Sequence, residues 1–428
     1  MNPVVVAARG KGITGAARRV AVIGRRYGPT AARMDAAIGR FMRILKSFEA
    51  TASFPITAAA LSRTEGIVEK YDFLGVEFPV HGYFHVDHTR LSLQAQLDQL
   101  GAAKRLFEKR GLRPEGFRSP YLRASEDTLT VLRTLGFRYD SSQAVAFPVE
   151  PAMQTDAYRR ALEFERARPV EDIGTMPRSE DGLLRIPYAL PDDEALVDRL
   201  RIDNANVMSR IWLDMLERTH VAGELFTLNL HPERIANCEA ALIATLARAR
   251  QLSPAVWIAR LGDIARWWTD LAATSVEATR LPHSGELEIH VAGPRGVTVL
   301  ARGMEVRAIT SPWLGREQVV HATVFRVTTQ REPFVGVSPT SDPALPDLLR
   351  ERGYIVDLTS EPRRNAVFLN EPILTPERTA AILAKLGAHA GPLLRISRWP
   401  EGAASAMSVT GDIDALTVWD YGLRVVGR

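Results

Sequence analysis

The sequence predicts an α/β protein, with parallel βαβ units over most of the chain and a second, mixed domain after them. Three observations carry this. Short apolar runs alternate with amphipathic stretches of about 10–15 residues as far as position 275, the pattern of strands joined by crossover helices. Residues able to do chemistry cluster just after the ends of those runs, where barrels and open parallel sheets place their sites. Beyond 275 the texture changes to short alternating runs, the mark of antiparallel strands.

Each element has its own justification. Residues 1–28 are rich in Gly and Arg and read as a loose arm with one apolar piece at 20–23. From 30 to 47, Met34, Ile38, Phe41 and Leu45 recur at helical spacing. Residues 52–57 read as a strand. The run 76–80, broken by Glu77 and Pro79, reads as a buried strand ending at His81. Ser92 is an N-cap for a helix whose apolar face is Leu93, Leu97, Leu100 and Phe107, stopped by Gly111 and Pro114. Residues 116–121 make a short strand and a turn. Ser125 opens a helix that Gly136 closes, and 137–142 form a strand. Residues 146–180 read as loose and charged. A strand at 183–187, a helix near 205–219, a strand at 225–231 and helices at 237–251 and 260–271 follow. The later runs 286–291, 297–302, 319–328 and 334–337 read as antiparallel strands. After them come a helix near 345–352, a strand at 354–356, a helix at 376–386 and a strand at 393–396. The last run, 405–417, reads as a strand ending in Asp412 and Asp414. The expected division is an arm at 1–28, an α/β domain at 29–275, a mixed domain at 276–400, and a terminal strand with a short helix at 401–428.

Bulk composition narrows the class. At 428 residues the chain is too long for one ordinary core. With 46% hydrophobic and 24% charged residues it is globular rather than disordered. Cys238 is the single cysteine, which excludes a disulfide framework and suits a cytoplasmic location. No run of about 18 apolar residues is present, so no spanning helix is expected, and the N-terminus has no apolar core of the kind a secretory signal needs. The net charge is +4, and seven basic residues with no acid precede Asp35. This arm reads either as a solvated tail or as an attraction to phosphate, on a membrane surface or on a lipid-linked sugar. Nucleic acid is not expected as a partner, because no recognised fold and no interleaved aromatics accompany the basic residues.

The densest chemistry lies in Val80-His81-Gly82-Tyr83-Phe84-His85-Val86-Asp87-His88, which holds three of the nine histidines. His81 and His85 are four residues apart. If the chain leaves the strand in a helical turn, both imidazoles face one point, where a divalent metal is the usual occupant. Two loop histidines satisfied by backbone are the other reading.

Together the motifs resemble the NodB-type polysaccharide deacetylases, carbohydrate esterase family 4. His81-Gly82-Tyr83-Phe84-His85 is similar to the paired-histidine motif of that family. Arg118-Ser119-Pro120-Tyr121 is similar to its R-x-P-Y motif, and Leu228-Asn229-Leu230-His231-Pro232 to its late strand. The resemblance covers about 20–270 and the extreme C-terminus, and leaves 276–400 without a counterpart. It implies an irregular (β/α) barrel, with the second α+β domain inserted before the C-terminal strand. There is one departure. The family's first strand carries paired aspartates, whereas Val20-Ala21-Val22-Ile23-Gly24-Arg25-Arg26-Tyr27-Gly28 has arginines. Either the protein is a degenerate relative or the missing strand comes from elsewhere. Thr410-Gly411-Asp412-Ile413-Asp414 resembles the T-F-D-x-D form of that strand, so the expectation is a circular permutation in which the last strand fills the first slot.

By the same resemblance, Asp414, His81 and His85 are the metal ligands, with zinc the expected ion. Asp412 is the base, His231 the acid, Arg118 the group that orients Asp412, and the Tyr121 N–H a donor to the oxyanion. The implied reaction is metal-dependent removal of acetyl from an N-acetylated sugar, free or as a lipid- or nucleotide-linked precursor, by an enzyme compatible with a homo-oligomer. The alternatives are an allantoinase-like hydrolase of a cyclic amide and a sugar-binding relative without the metal. Around this set, Asp87 and His88 read either as groups fixing the imidazoles or as a solvated loop. Asp192 and Asp193 read as a helix N-terminal acid pair or as a partner for His231. Trp257, Trp267 and Trp268 read as core, Trp399 and Trp419 as core or sugar platform. Cys238 needs no functional account.

Overall fold

The computed structural model describes residues 24, 26–64 and 66–426, so the apolar piece at 20–23 and most of the basic arm lie outside it. Among the described residues the chain divides into two compact units. One comprises the residues up to Gln251, Ile258–Arg266 and those from Ala406; the other comprises Leu252–Trp257 and Trp267–Ser405.

In the first unit the helix Ala32–Ser47 buries Met34, Ile38, Phe41, Ile44 and Leu45, the face its spacing predicts. Phe41 meets Phe54 edge-on at 5.2 Å. The strands are short and parallel. Ser53 bridges Glu77, Ile56 and Phe117 both bridge Val80, and Gly116–Phe117 pairs with Tyr139–Asp140, which pairs with Leu183–Arg185. Ala144–Ala146 pairs with Tyr188–Leu190. Thr227 Oγ1 and Asn229 Nδ2 donate to the carbonyls of Pro187 and Ala189, tying that strand to Leu225–Asn229. The terminal strand, Ser405–Thr410, then pairs in parallel with Leu225–Asn229 on one side and Ala52–Ser53 on the other. The terminal strand thus joins an early and a late parallel strand in one sheet.

Insertion of the terminal strand needs a close backbone approach. A Cβ at Gly411 would lie 1.9 Å from the Leu230 carbonyl oxygen, so only glycine fits. At the opposite end of the strands from the histidines, buried Glu77 accepts from Ser53 Oγ at 2.5 Å, the Tyr139 hydroxyl at 2.8 Å and Gly262 N at 2.9 Å. These bonds knit three strands to the first turn of Leu261–Leu271. Burial still pushes the Glu77 carboxyl above its ordinary range.

Two expectations are corrected here. The helix Leu93–Lys109 has Ser92 as its cap, but Leu93 is exposed; Gln96, Leu100, Ala103 and Phe107 form the buried stripe. Gln96 is admitted to the core because its side-chain carbonyl accepts from Thr128 Oγ1 at 2.7 Å. The stretch 146–180 is not loose: Asp156–Phe164 is a capped helix, and Arg168–Pro169 pairs with Ala144–Ala146.

The second unit holds two antiparallel sheets, ordered Ser275–Arg280, Leu287–Ala292, Val324–Thr328, Glu305–Arg307 and Thr310–Pro312, Gln318–Val320, Val299–Arg302, Leu393–Ile396. Residues 319–328 therefore split between two sheets. The run 334–337 is not antiparallel: Glu332–Val337 pairs in parallel with Val356–Leu358 and Asn365–Leu369. Its residues 333–337 are all buried, packed with Leu345, Leu349, Ile382 and Leu386 from two helices, so it lacks the period-2 pattern that marks a half-exposed strand. The boundary between units falls inside Leu261–Leu271, before the change of texture at 275, because Trp267 and Trp268 pack with Trp257 and Trp399. Trp399 is fully buried, whereas Trp419 is exposed.

Candidate active site

The site lies at the carboxyl ends of the parallel strands in the first unit. His81 follows Val80, whose bridges to Ile56 and Phe117 fix the chain there. Gly82 has φ +80°, and a Cβ would meet the Phe84 carbonyl at 2.9 Å and His88 Cε1 at 3.0 Å. Glycine thus allows the turn that brings His85 back beside His81, their ring centroids 5.2 Å apart. Both histidines are buried.

The terminal strand delivers the carboxylates. Ile413 N donates to the Pro55 carbonyl at 2.7 Å and Leu230 N to that of Thr410 at 2.8 Å, which holds Asp412 and Asp414 over the same strand ends. Asp414 Oδ1 lies 3.3 Å from His81 Nε2 and 3.3 Å from His85 Nε2. Asp412 Oδ2 lies 3.7 Å from His81 Nε2. His81 Nδ1 is 2.9 Å from the Arg118 carbonyl, which can only accept, so Nδ1 carries the proton and Nε2 presents its lone pair. That Nε2 is buried without a hydrogen-bond partner.

A lone pair facing a carboxylate oxygen across 3.3 Å is repulsive unless a proton or a divalent cation lies between them. The donor set fits one. Two imidazole nitrogens and a carboxylate oxygen are zinc-type ligands, and a tetrahedron with arms of about 2.0–2.1 Å has edges of about 3.3 Å. The fit of His81, His85 and Asp414 to a divalent ion therefore rests on distance and on tautomer.

Arg118 is fully buried. Its Nη1 donates to Asp412 Oδ1 at 2.8 Å and Thr410 Oγ1 at 3.1 Å; Nε and Nη2 donate to the carbonyl and Oγ of Ser141 at 3.0 Å. Its guanidinium lies 4.7 Å from the Tyr188 ring centroid. Asp412 is held by a group each of whose three nitrogens is engaged. Tyr121 has φ +58°, and its ring meets His85 edge-on at 4.3 Å and Phe164 at 5.7 Å.

His231 forms a second centre. Its Nδ1 lies 2.7 Å from Asp193 Oδ1, and its backbone N donates to Asp193 Oδ2 at 2.9 Å. Burial pushes the imidazole pKa down, but the Asp193 charge and hydrogen bond outweigh it and lift His231 well above 6.5. Burial also raises Asp193, yet the His231 and Arg234 charges carry it below its ordinary value. Asp192 is raised to about 6 by burial and by the neighbouring Asp193 charge. The acid pair thus divides its two readings: Asp193 serves His231, and Asp192 accepts from Ala195 N at 2.7 Å in the turn that follows.

Asp87 accepts from Thr89 N at 3.1 Å and Arg123 Nε at 2.9 Å, which makes it a turn cap rather than an imidazole partner. His88 is buried beside Ser119 Oγ at 3.4 Å, and burial followed by the nearby His81 lowers its pKa to about 4. Cys238 is buried and free. Sequence reasoning missed Ser141, Tyr188 and Arg234 as supports, since none sits in a motif and each is defined by what it touches; Thr410 sits in the terminal motif but was not read as a support.

Fold and site together define an α/β protein with a His–His–Asp cage and a separate His–Asp pair at the carboxyl ends of parallel strands. The resemblance to polysaccharide deacetylases is borne out: the polysaccharide deacetylase family model matches residues 28–139. The peptidoglycan deacetylase-like protein FGM2 of Gibberella zeae is 42% identical over 80 residues, 18% of this chain and 22% of that protein, so the match spans about a fifth of the relative's length. Among solved structures, a putative polysaccharide deacetylase from Mycobacterium smegmatis is similar at 19% identity and a TM-score of 0.44, over 61% of this chain and 85% of that one. PuuE allantoinase is similar at 20% identity and a TM-score of 0.43, over 54% and 72%. Among the described residues no helix is long and apolar enough to cross a membrane.

Proposed function

We propose that the protein is a metal-dependent deacetylase that removes the acetyl group from an N-acetylated sugar, on an irregular barrel completed by a circularly permuted last strand. The observation that supports it most is the convergence of His81 Nε2, His85 Nε2 and Asp414 Oδ1, whose mutual distances and lone pairs suit a cation. A divalent ion held there, zinc by the donor set, would supply a Lewis acid and favour ionisation of water at neutral pH.

The chain's own residues do the rest. Asp412, held by Arg118 and lying 3.7 Å from His81, is placed to take the proton of the attacking water. Arg118 keeps that carboxylate oriented; it does not act as an acid, because a guanidinium does not titrate in this range. His231, kept protonated by Asp193, gives a proton to the leaving nitrogen. The Tyr121 N–H is the expected donor to the oxyanion; its backbone is left-handed and its ring lies against His85. The substrate is read as an acetylated sugar, free or linked to lipid or nucleotide, and the location as cytoplasmic.

The test is acetate release by the zinc-loaded protein from N-acetylglucosamine oligomers, run beside cyclic ureides. Acetate from the oligomers is expected. Ureide consumption without acetate release would move the protein to the cyclic-amide reading, and inertness toward both would favour a binding role.

A further inference from the structure

The second unit carries a cavity of about 510 Å³, lined by Trp313, Arg316 and Glu317 from one turn, by Arg302 and Arg395 from paired strands, and by His389. Its charges do not balance, with three guanidiniums against one carboxylate. Arg395 is sandwiched between Trp313 and Tyr354, 5.9 and 5.4 Å from their ring centroids. It binds Glu317 through both Nε, at 2.8 Å, and Nη2. That pair consumes the one acid.

Arg302 is 8% exposed and has no carboxylate of its own; its Nη1 stands 3.9 Å from Glu317. Its Nη groups donate to the Leu386 and Gly387 carbonyls at the end of the helix Pro376–Ala388, which offers only a fractional negative charge. Its Nε is buried with no partner, and so is His389 Nε2. Burial and the charges of Arg302 and Lys385 lower the His389 pKa, so the imidazole stays neutral and adds no positive charge of its own. A buried guanidinium with an unused donor, beside a second one and an exposed third, is costly unless an anion completes it. The cavity is several times larger than a bare oxyanion needs and falls in the range of small-ligand pockets. Trp313, only partly buried, adds ring surface suited to the C–H face of a pyranose.

We propose that this cavity is a second ligand site, for a monosaccharide-sized oxyanion: a sugar bearing a carboxylate or a phosphate. The anionic half stands on the charge count and the unused donors alone; the sugar half rests on the deacetylase reading. The test is calorimetric titration of the full chain with glucuronate, glucose 6-phosphate, glucose and inorganic phosphate. It is run on the wild type and on Arg316→Ala, Arg302→Gln and Asp414→Ala.

Saturable binding of at least one charged sugar is expected. It should weaken about tenfold or more in Arg316→Ala, whose exposed side chain can be removed without unfolding, and likewise in Arg302→Gln. It should also weaken in about 0.5 M salt and be unchanged in Asp414→Ala. The two charged probes distinguish a carboxylate from a phosphate source. Absence of binding by both, or equal binding of glucose, overturns the site. Loss of binding in Asp414→Ala would transfer the ligand to the hydrolytic centre, and inorganic phosphate binding as tightly as glucose 6-phosphate would overturn the sugar. Because titration needs no turnover, an inactive deacetylase with an intact anion site remains distinguishable from failure of both readings.

Discussion

Replacing Asp193 with Asn removes one charge that His231 and Arg234 share. The His231 contact is 2.7 Å, fully buried on the Asp193 side. At an effective dielectric constant of about 20, unit charges about 4 Å apart interact by about 4 kcal/mol. At 1.36 kcal/mol per pKa unit that is about 3 units, the upper end of the roughly 1–3 units an adjacent opposite charge produces. Burial, which already opposes protonation of His231, is left without its counterweight. The imidazole should fall from well above 6.5 to below it. If His231 gives up a proton in the reaction, the alkaline limb of kcat/KM should move about 1–3 units toward acid in Asp193→Asn. A histidine carbon-proton resonance followed by NMR should report the same shift without turnover. An alkaline limb that stays put while the resonance moves would remove His231 as the acid; a resonance that stays put would refute the electrostatic argument itself. The stability effect has a defined window. The raised His231 pKa contributes stability fully present below about 6.5 and lost as pH climbs through its folded value, while the lowered Asp193 pKa contributes stability present above about 3.8 and lost as pH falls through its folded value. The wild type should therefore exceed the variant most between those limits.

Other substitutions probe the rest of the site. His81→Ala and Asp414→Ala should each leave a folded protein with no stoichiometric zinc by elemental analysis; full occupancy in Asp414→Ala would cancel its assignment as a ligand. Asp412→Asn should retain the metal and lose acetate release, and normal turnover there would dismiss it as the base. Arg118→Ala strands the buried Asp412 carboxylate and should cost about 3–5 kcal/mol in urea unfolding; a loss under 1 kcal/mol would mean water replaces the guanidinium. Gly411→Ala drives a methyl into the Leu230 carbonyl and should lower Tm sharply or abolish soluble expression, whereas a wild-type melting curve would show that the two strands can separate without cost.

Much of the candidate site could be read from residue order because metal-type ligands and caps are local signals. His81 and His85 stood out by spacing, and Asp412 and Asp414 through the resemblance of Thr410-Gly411-Asp412-Ile413-Asp414 to a family strand, although Asp412 lies 294 positions from the Arg118 it binds. Ser92, Ser125 and the stripe from Met34 to Leu45 were equally local. What escaped was settled by tertiary contact. Gln96 enters the core because Thr128 satisfies it, and Leu93 is left outside because the helix is rotated accordingly. Glu332–Val337 has no alternation to read, being covered on both faces. Asp193 could not be separated from Asp192 by sequence, since both follow the same strand and only the approach of His231 distinguishes them.

The placement of Ser405–Thr410 between Ala52–Ser53 and Leu225–Asn229 sets a timetable for biosynthesis. A chain emerging from the ribosome presents both imidazoles early but acquires Asp414 only after the whole second unit has been made. Until then the nascent first unit exposes two unpaired strand edges and two histidines without their acid. Under the proposed function, any ion held by His81, His85 and Asp414 waits on the insertion of this strand.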